Sequence, residues 1–207
     1  MKIDLHVHTM YSYDSDMDPR HMVRRAQEMG LDAVCVTEHN TYEQSAPVLE
    51  AANEIGFTVL RGVELSTTVG HIIVFGLTWD CWKTRTGHSR LSGDAVVELV
   101  EAVQGAAVIA HPFKPGYQFY ARELAEHPRI CAVETCNGQC LDRQNREARE
   151  LARILSLPGT GGSDAHAMHE IGSCYTEFSS WIDNEQDLVA ALLAGNVAAR
   201  GYEAAGP

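Results

Sequence analysis

The stretch Ile3-Asp4-Leu5-His6-Val7-His8 places polar and apolar residues in alternation near the start of the chain. Side chains two apart on a β-strand share a face, so His6 and His8 project together while Leu5 and Val7 turn to a core. Outward from it, six more short apolar runs are candidate strands: Ala33 to Thr37, Thr58 to Glu64, His71 to Leu77, Ala107 to Ala110, Cys131 to Glu134 and Gly159 to Gly162. Helical patterns lie between several of them. Asp18 and Pro19 can cap and open a helix that ends before Gly30, and Gly93 to Gln104, Leu141 to Leu155 and Glu185 to Leu193 carry apolar residues at helical spacing. This alternation predicts an α/β fold, a parallel sheet covered by helices.

Nearly every candidate strand ends in a residue that can bind a metal. His39 follows Val34-Cys35-Val36-Thr37-Glu38, Glu64 follows Gly62-Val63, His111 follows Ala110, Glu134 follows Val133, and Asp164 with His166 follows the Gly161-Gly162-Ser163 turn. In a parallel barrel such strand ends converge on one face, where catalytic groups are found. Glu38 and His39 are adjacent and face opposite ways, so at most one of them touches a metal. Imidazole with carboxylate suits zinc, iron or manganese, whereas a thiolate set would favour structural zinc. A carboxylate such as Glu64 can bridge two ions, the arrangement that holds both the attacking and the leaving oxygen of a phosphoryl displacement. Set against ionised Asp14, Glu64 and Asp164, three divalent ions leave the cluster at about +3 and two leave it at about +1, a charge that draws a phosphate.

The 207 residues suffice for one sizeable domain, 1–207, and the 45% hydrophobic and 21% charged composition is that of a globular chain. No apolar run approaches the ~20 residues needed to span a bilayer, and the N-terminus lacks the pattern of a signal peptide, so a cytoplasmic location and no membrane partner are expected. The net charge of −12 repels a polyanion, which disfavours a long nucleic-acid duplex but leaves room for a small anion at a locally positive pocket. The six cysteines form no C-x-x-C pair and are expected to be free thiols. Trp79 to Ser92 is polar, aperiodic and expected to be a long loop over the site, and the tail after Arg200 is expected to be loosely held.

The motifs together resemble the polymerase and histidinol phosphatase family, the PHP domain. They are His6-Val7-His8-Thr9 with Ser12 and Asp14, Thr37-Glu38-His39-Asn40, Gly62-Val63-Glu64, Gly70-His71-Ile72, Ala110-His111-Pro112 and Gly162-Ser163-Asp164-Ala165-His166, in the family order from Asp4 to His166. The resemblance implies a distorted (βα)7 TIM-like barrel with a trinuclear site at the strand C-terminal ends. It implies one metal on His6, His8, Glu64 and Asp164, a second bridged by Glu64 to His71 and His111, and a third on Asp14, His39 and His166. Glu38 stands where the family commonly has aspartate, a position beside the ligands rather than among them. Members include histidinol phosphatases, nucleotide phosphatases, exonucleases and polymerase-associated proofreading domains.

The expected reaction is hydrolysis of a small phosphorylated metabolite or nucleotide by metal-activated water, with two or three divalent ions (zinc, manganese or iron). Glu64, Asp164 and His166 are the candidate catalytic residues, with His166 a candidate to protonate the leaving group. Lys114, three residues past His111, and Arg143 and Arg146 are the candidate cations for the substrate phosphate. Glu134 and Asn137 are expected to cap the strand end or to support the ligands. His21, His88, His127 and His169 have no partner spacing and are expected at the surface. Trp79, Trp82, Tyr117 and Tyr120 either pack under the long loop or stack on a base. The rivals are a metal-dependent amidohydrolase acting on a C–N or C–O bond and a noncatalytic metal-binding module.

Overall fold

The computed structural model describes residues 1–86 and 90–201, with the backbone alone at residues 85 and 86. Seven strands fall where the apolar runs place them: β1 (Lys2–Val7), β2 (Ala33–Val36), β3 (Thr58–Thr67), β4 (Gly70–Phe75), β5 (Ala106–Ile109), β6 (Ile130–Asn137) and β7 (Gly159–Gly162). Two more, β8 (Cys174–Phe178) and β9 (Val197–Gly201), make a nine-stranded sheet in the order β7-β6-β5-β4-β3-β2-β1-β8-β9.

The sheet is therefore not a purely parallel seven-stranded one. β1, β2 and β3 pair in parallel, as do β5, β6 and β7, but β4 runs antiparallel to both neighbours and β8 runs antiparallel to β1. The reason lies in the link between β3 and β4, only Thr68 and Val69. A parallel crossover needs a dozen residues or more, so two residues can only make a hairpin.

The first helix, α1 (Pro19–Glu28), opens on Asp18, whose side chain accepts from the Arg20 and His21 amides, with Pro19 supplying a fixed φ where no N–H is needed. Helix α2 (Val48–Ile55) lies beside it. The face of α1 formed by Met22, Val23 and Ala26 packs with Val48 and Ala52 of α2 against Val7, Val34, Val36 and Val59. Burying Met22 or Val23 stabilises the fold by about 1.5–3 kcal/mol each. On the other side α4 (Gly93–Ala102) and α5 (Asp142–Leu155) cover β3 to β6, while α6 (Glu185–Ala194) brings Leu188 and Leu192 onto Ile3, Leu5, Cys35, Leu60, Phe75 and Val108.

The stretch from Trp79 to Ser92, expected to be a long loop, is not loop throughout. It holds a short helix, α3 (Lys83–Thr86), Trp82 is buried in the core, and Asp80 accepts from the Tyr42 and Glu43 amides and pairs with Lys83. His88 and the tail from residue 202 lie outside the described residues. Among the described residues no helix is long and apolar enough to cross a membrane.

The barrel comes near to closing along β1, whose free edge is shared. Its lower half pairs with β8 (Lys2 with Glu177, Ile3 with Thr176), and its upper half meets the segment after β7, where the Asp164 amide donates to the His6 carbonyl (2.7 Å) and the His8 amide to the Ala165 carbonyl (2.9 Å). Buried Asp4 ties the two halves together. It accepts from the Ser163 amide (2.8 Å), the Gly172 amide (3.0 Å) and its neighbour His6 (3.3 Å). Burial pushes its carboxyl up to about 6, while those N–H donors oppose the rise.

Asp4→Asn keeps the shape but turns one acceptor into an NH2 group that faces an amide donor. It should cost about 1–3 kcal/mol, read as a lower urea midpoint at neutral pH with an unchanged slope; a midpoint equal to the parent's would show that the closure does not depend on this carboxylate.

Candidate metal centre

The strand ends set the site. His6 and His8 leave the end of β1, His39 follows β2, Glu64 stands in β3, His111 follows β5, Glu134 and Asn137 stand in β6, and Asp164 and His166 follow β7. β4 runs the other way, so it is its first turnward residue, His71, paired with Ser66, that reaches the same end of the barrel. The backbone bends sharply to aim two of these groups: His111 (φ 22°) and Asp164 (φ 54°) take positive φ, an uncommon conformation for non-glycine residues that clusters at functional sites. Gly162 is required by close approach, since a Cβ there would lie 2.4 Å from His6 Cβ and 2.8 Å from Glu134 Oε1.

Hydrogen bonds on the far side of each ring decide which nitrogen faces inward. His6 Nδ1 donates to Glu134 Oε1 (3.0 Å), and His166 Nδ1 donates to the Asp164 carbonyl (2.8 Å). The Ser12 hydroxyl donates to Glu38, so its oxygen accepts from His8 Nδ1 (3.0 Å). In the neutral form of all three rings the Nε2 carries the lone pair and points to the centre.

Those lone pairs meet carboxylate oxygens. His6 Nε2 and His8 Nε2 each lie 3.5 Å from Glu64 Oε2 and 3.4 Å from Asp164 Oδ1. Metal–ligand bonds of roughly 2.1 Å in a tetrahedron give edges of about 3.4 Å, so the four atoms are spaced as corners around one ion. His6 Nε2 and His8 Nε2 are buried and have no hydrogen-bond partner, a costly state for polar atoms unless a cation lies between them and Glu64 Oε2, which also has His39 Nδ1 2.8 Å away. A second group, Asp14 Oδ2 with His39 Nε2 (3.2 Å) and His166 Nε2 (3.4 Å), has the same spacing. In the third, His71 Nδ1 and His111 Nε2 lie 2.7 and 2.8 Å from Glu64 Oε1, in direct hydrogen-bond contact. The donor set thus fits divalent ions, most clearly at the first group.

Electrostatics agree with the geometry. Burial would raise the Glu64 carboxyl, but His6, His111 and His39 hold it well below the usual range; burial would raise Asp164 likewise, but His6, His8 and His111 keep it low. Burial, aided by His6 and His39, depresses His8 to about 3, leaving a neutral imidazole ready to donate its lone pair. Burial opposes a charge on His6 too, yet Asp164, Glu134 and Glu64 draw its pKa well above the ordinary value. The cluster calls for positive charge at its centre.

Around the rings, Glu134 also accepts from the His111 amide (2.9 Å) and from Asn137 Nδ2 (2.9 Å), and Glu38 accepts from the Thr9 amide and hydroxyl. Glu38 lies behind the rings, and its neighbour His39 faces the cavity. Lys114 reaches the centre, its Nζ 2.6 Å from Asp164 Oδ2; burial would lower its pKa, but Asp164 raises it. Arg143 and Arg146 do not reach it. Both are exposed on α5 and absent from the cavity lining, Arg143 paired loosely with Glu147 (3.9 Å), because their positions face solvent while Gln144 and Ala148 face the sheet. His166 turns its Nε2 toward the centre, 3.4 Å from Asp14 Oδ2.

The cavity over the centre is about 40 Å³, and its lining includes Lys114, Tyr117 and seven of the ligand candidates, all but His6 and His8. Tyr117 lies 4.3 Å from the His71 ring, and Tyr13, which sequence reasoning passed over, stacks on His39 at 5.1 Å. An aromatic residue wedged between Ser12 and Asp14 in a polar motif was the available signal. Trp79 and Tyr120 are exposed outside this lining. His21 and His169 are exposed, and His127 pairs with Glu101 (3.0 Å). Among the described residues no cysteine forms a disulfide, and burial pushes Cys140 up to about 12.

Known proteins share this framework. A protein of Methanocaldococcus jannaschii without assigned function is 33% identical over 125 residues, which span 56% of this chain and 70% of that protein. A Bifidobacterium adolescentis structure, provisionally described as a metal-dependent phosphoesterase, is 18% identical, covers 93% of this chain and 96% of its own, and superposes with a TM-score of 0.65. An amidohydrolase structure from Chromobacterium violaceum, with bound sulfate and no metal, is also 18% identical, covers 81% and 88%, and has a TM-score of 0.64. At that identity both likenesses speak for the fold alone. Residues 142–197 match the PHP-associated C-terminal profile and residues 4–166 match the PHP domain, which spans the whole ring of strand-end ligands: this chain belongs to the PHP domain family.

Proposed function

We propose that this protein is a divalent-metal-dependent phosphoesterase that hydrolyses a small phosphorylated metabolite or nucleotide. The observation that carries this reading is that His6 Nε2 and His8 Nε2 each lie 3.5 Å from Glu64 Oε2 and 3.4 Å from Asp164 Oδ1, four donor atoms facing one buried point. These four residues would hold one ion, Glu64 with His71 and His111 a second, and Asp14, His39 and His166 a third; zinc, manganese and iron all suit such a mixed set. Bound divalent ions supply Lewis acidity toward a phosphoryl oxygen and lower the pKa of water toward neutrality.

The chain's own groups do the rest. No serine, threonine or cysteine lines the cavity among the described residues, and water activated by the bound ions would supply the nucleophile. Lys114 can swing from Asp164 Oδ2 to a phosphate oxygen and neutralise it, while Asn137 Nδ2, 3.2 Å from the same oxygen, keeps Asp164 oriented. Glu134 and Ser12 hold the His6 and His8 rings in the required tautomer. Amide or lactone hydrolysis would use a centre of the same kind, but the excess positive charge of about +1 to +3, with Lys114 beside it, favours a phosphate ester.

Purified protein loaded with manganese, zinc or iron should turn over members of a phosphate-ester panel and not the amides and lactones beside them, with loss on chelation and recovery on adding metal. Glu64→Ala and Asp164→Ala should each lower that rate by about a thousandfold or more and reduce bound metal; full activity in either variant, or turnover confined to amides, would refute the proposal. Glu134→Gln gives the His111 and Asn137 donors an NH2 to face and should weaken metal retention by about 10–100-fold in a chelator competition while the fold persists.

A further inference from the structure

We propose that Tyr13 and Tyr117 form an aromatic mouth over the cavity that selects phosphate monoesters whose alcohol part carries a flat ring close to the ester oxygen. This rests on the phosphoesterase reading above and adds a substrate class to it. A cavity of about 40 Å³ accommodates little beyond the phosphoryl group, so the organic part of a substrate must lie outside it, against the rim.

Tyr117 lines the cavity, and Tyr13 stands just outside the lining, stacked on His39, which is part of it. Tyr13 is 79% exposed, with one face backed by the His39 ring (5.1 Å, 27° between planes) and the other open to solvent. Tyr117, 37% exposed, lies against His71 at 4.3 Å. The His39 and His71 rings are themselves only 5.9 Å apart, so the two tyrosines rise from neighbouring points of the rim, and the Tyr13 phenol lies within the electrostatic reach of Tyr117 and Lys114.

Both rings are presented on tied backbone. The Ser12 amide donates to the Thr9 carbonyl just before Tyr13, and the Tyr117 amide donates to the Lys114 carbonyl (3.0 Å) while Phe119 returns to Pro112 (3.0 Å). Rings held in advance lose little freedom on stacking, which is where much of the cost of binding otherwise arises. An aromatic face attracts another flat π-system regardless of its substituents, and an aliphatic group of equal bulk gains less. Among the described residues Lys114 is the one lysine or arginine in the cavity lining, which fits a substrate with a single phosphate.

The test compares kcat/KM for benzyl phosphate and cyclohexylmethyl phosphate, whose leaving alcohols match in bulk and differ in the ring. The metal-loaded parent should prefer the benzyl ester about tenfold, equivalent to about 1.4 kcal/mol. Tyr13→Leu and Tyr117→Leu should each shrink the ratio, and the double variant should bring it below about twofold, mostly through KM; the Phe variants should keep it, as should Tyr120→Leu, which lies outside the cavity lining and whose hydroxyl donates to Gln118 (3.3 Å). An equal rate on both esters in the parent, or a ratio that survives in the double variant, overturns the mouth and leaves the phosphoesterase intact. If both esters and methyl phosphate are inert while an amide is cleaved, the phosphoesterase reading falls and the mouth falls with it.

Discussion

Imidazole lone pairs and carboxylate oxygens repel one another when they are pressed together away from water, and this chain presses them together deliberately. His6, His8, Glu64 and Asp164 are all buried, and the nearest approaches between them are 3.4 and 3.5 Å. In a region of low dielectric such a group is stable only around positive charge. The surroundings serve that one requirement. Glu134, Ser12 and the Asp164 carbonyl each accept a hydrogen bond from the outer nitrogen of a ring, which turns the inner nitrogen of each neutral ring toward the centre. Asp4, two residues before His6, locks the strand from which the first two rings project.

The parts of the fold that rest on side-chain periodicity were readable in advance. Seven apolar runs became seven strands, and Asp18 with Pro19 opened the helix they announce. The parallel direction expected of the strands fails at β4, although the gap between Glu64 and His71 is too short for a parallel crossover and carried the answer. β8 and β9 escaped for a different reason. Cys174-Tyr175-Thr176-Glu177-Phe178 is short and half polar, and Val197-Ala198-Ala199-Arg200-Gly201 is rich in alanine, so neither shows the β-branched enrichment of a core strand; both are strands because β1 and each other offer them edges.

At the site, residue type and strand-end position suffice to nominate groups that could meet, since the barrel topology brings every such end to one side. What position cannot supply is azimuth. Arg143 and Arg146 follow β6 at the proper end of the barrel, yet a helix turns each residue by a fixed angle, and theirs points outward. Lys114 was nominated from a loop and does reach the centre, but its partner there, Asp164, is fifty residues away and invisible to local pattern. Glu134 and Tyr13 show the same gap: what each does depends on which ring it touches.

β7 itself, Gly159-Thr160-Gly161-Gly162, has almost no side-chain mass. It therefore brings little apolar area of its own and is kept in place by others, with the Thr176 hydroxyl bonding both the amide and the carbonyl of Gly161 (2.8 Å each) and β6 pairing along its other edge. The bareness that lets His6 and Glu134 crowd against Gly162 also makes this the seam least able to hold itself shut. Retaining ions and keeping the barrel sealed are thus one task for this protein, because the same few backbone contacts serve both.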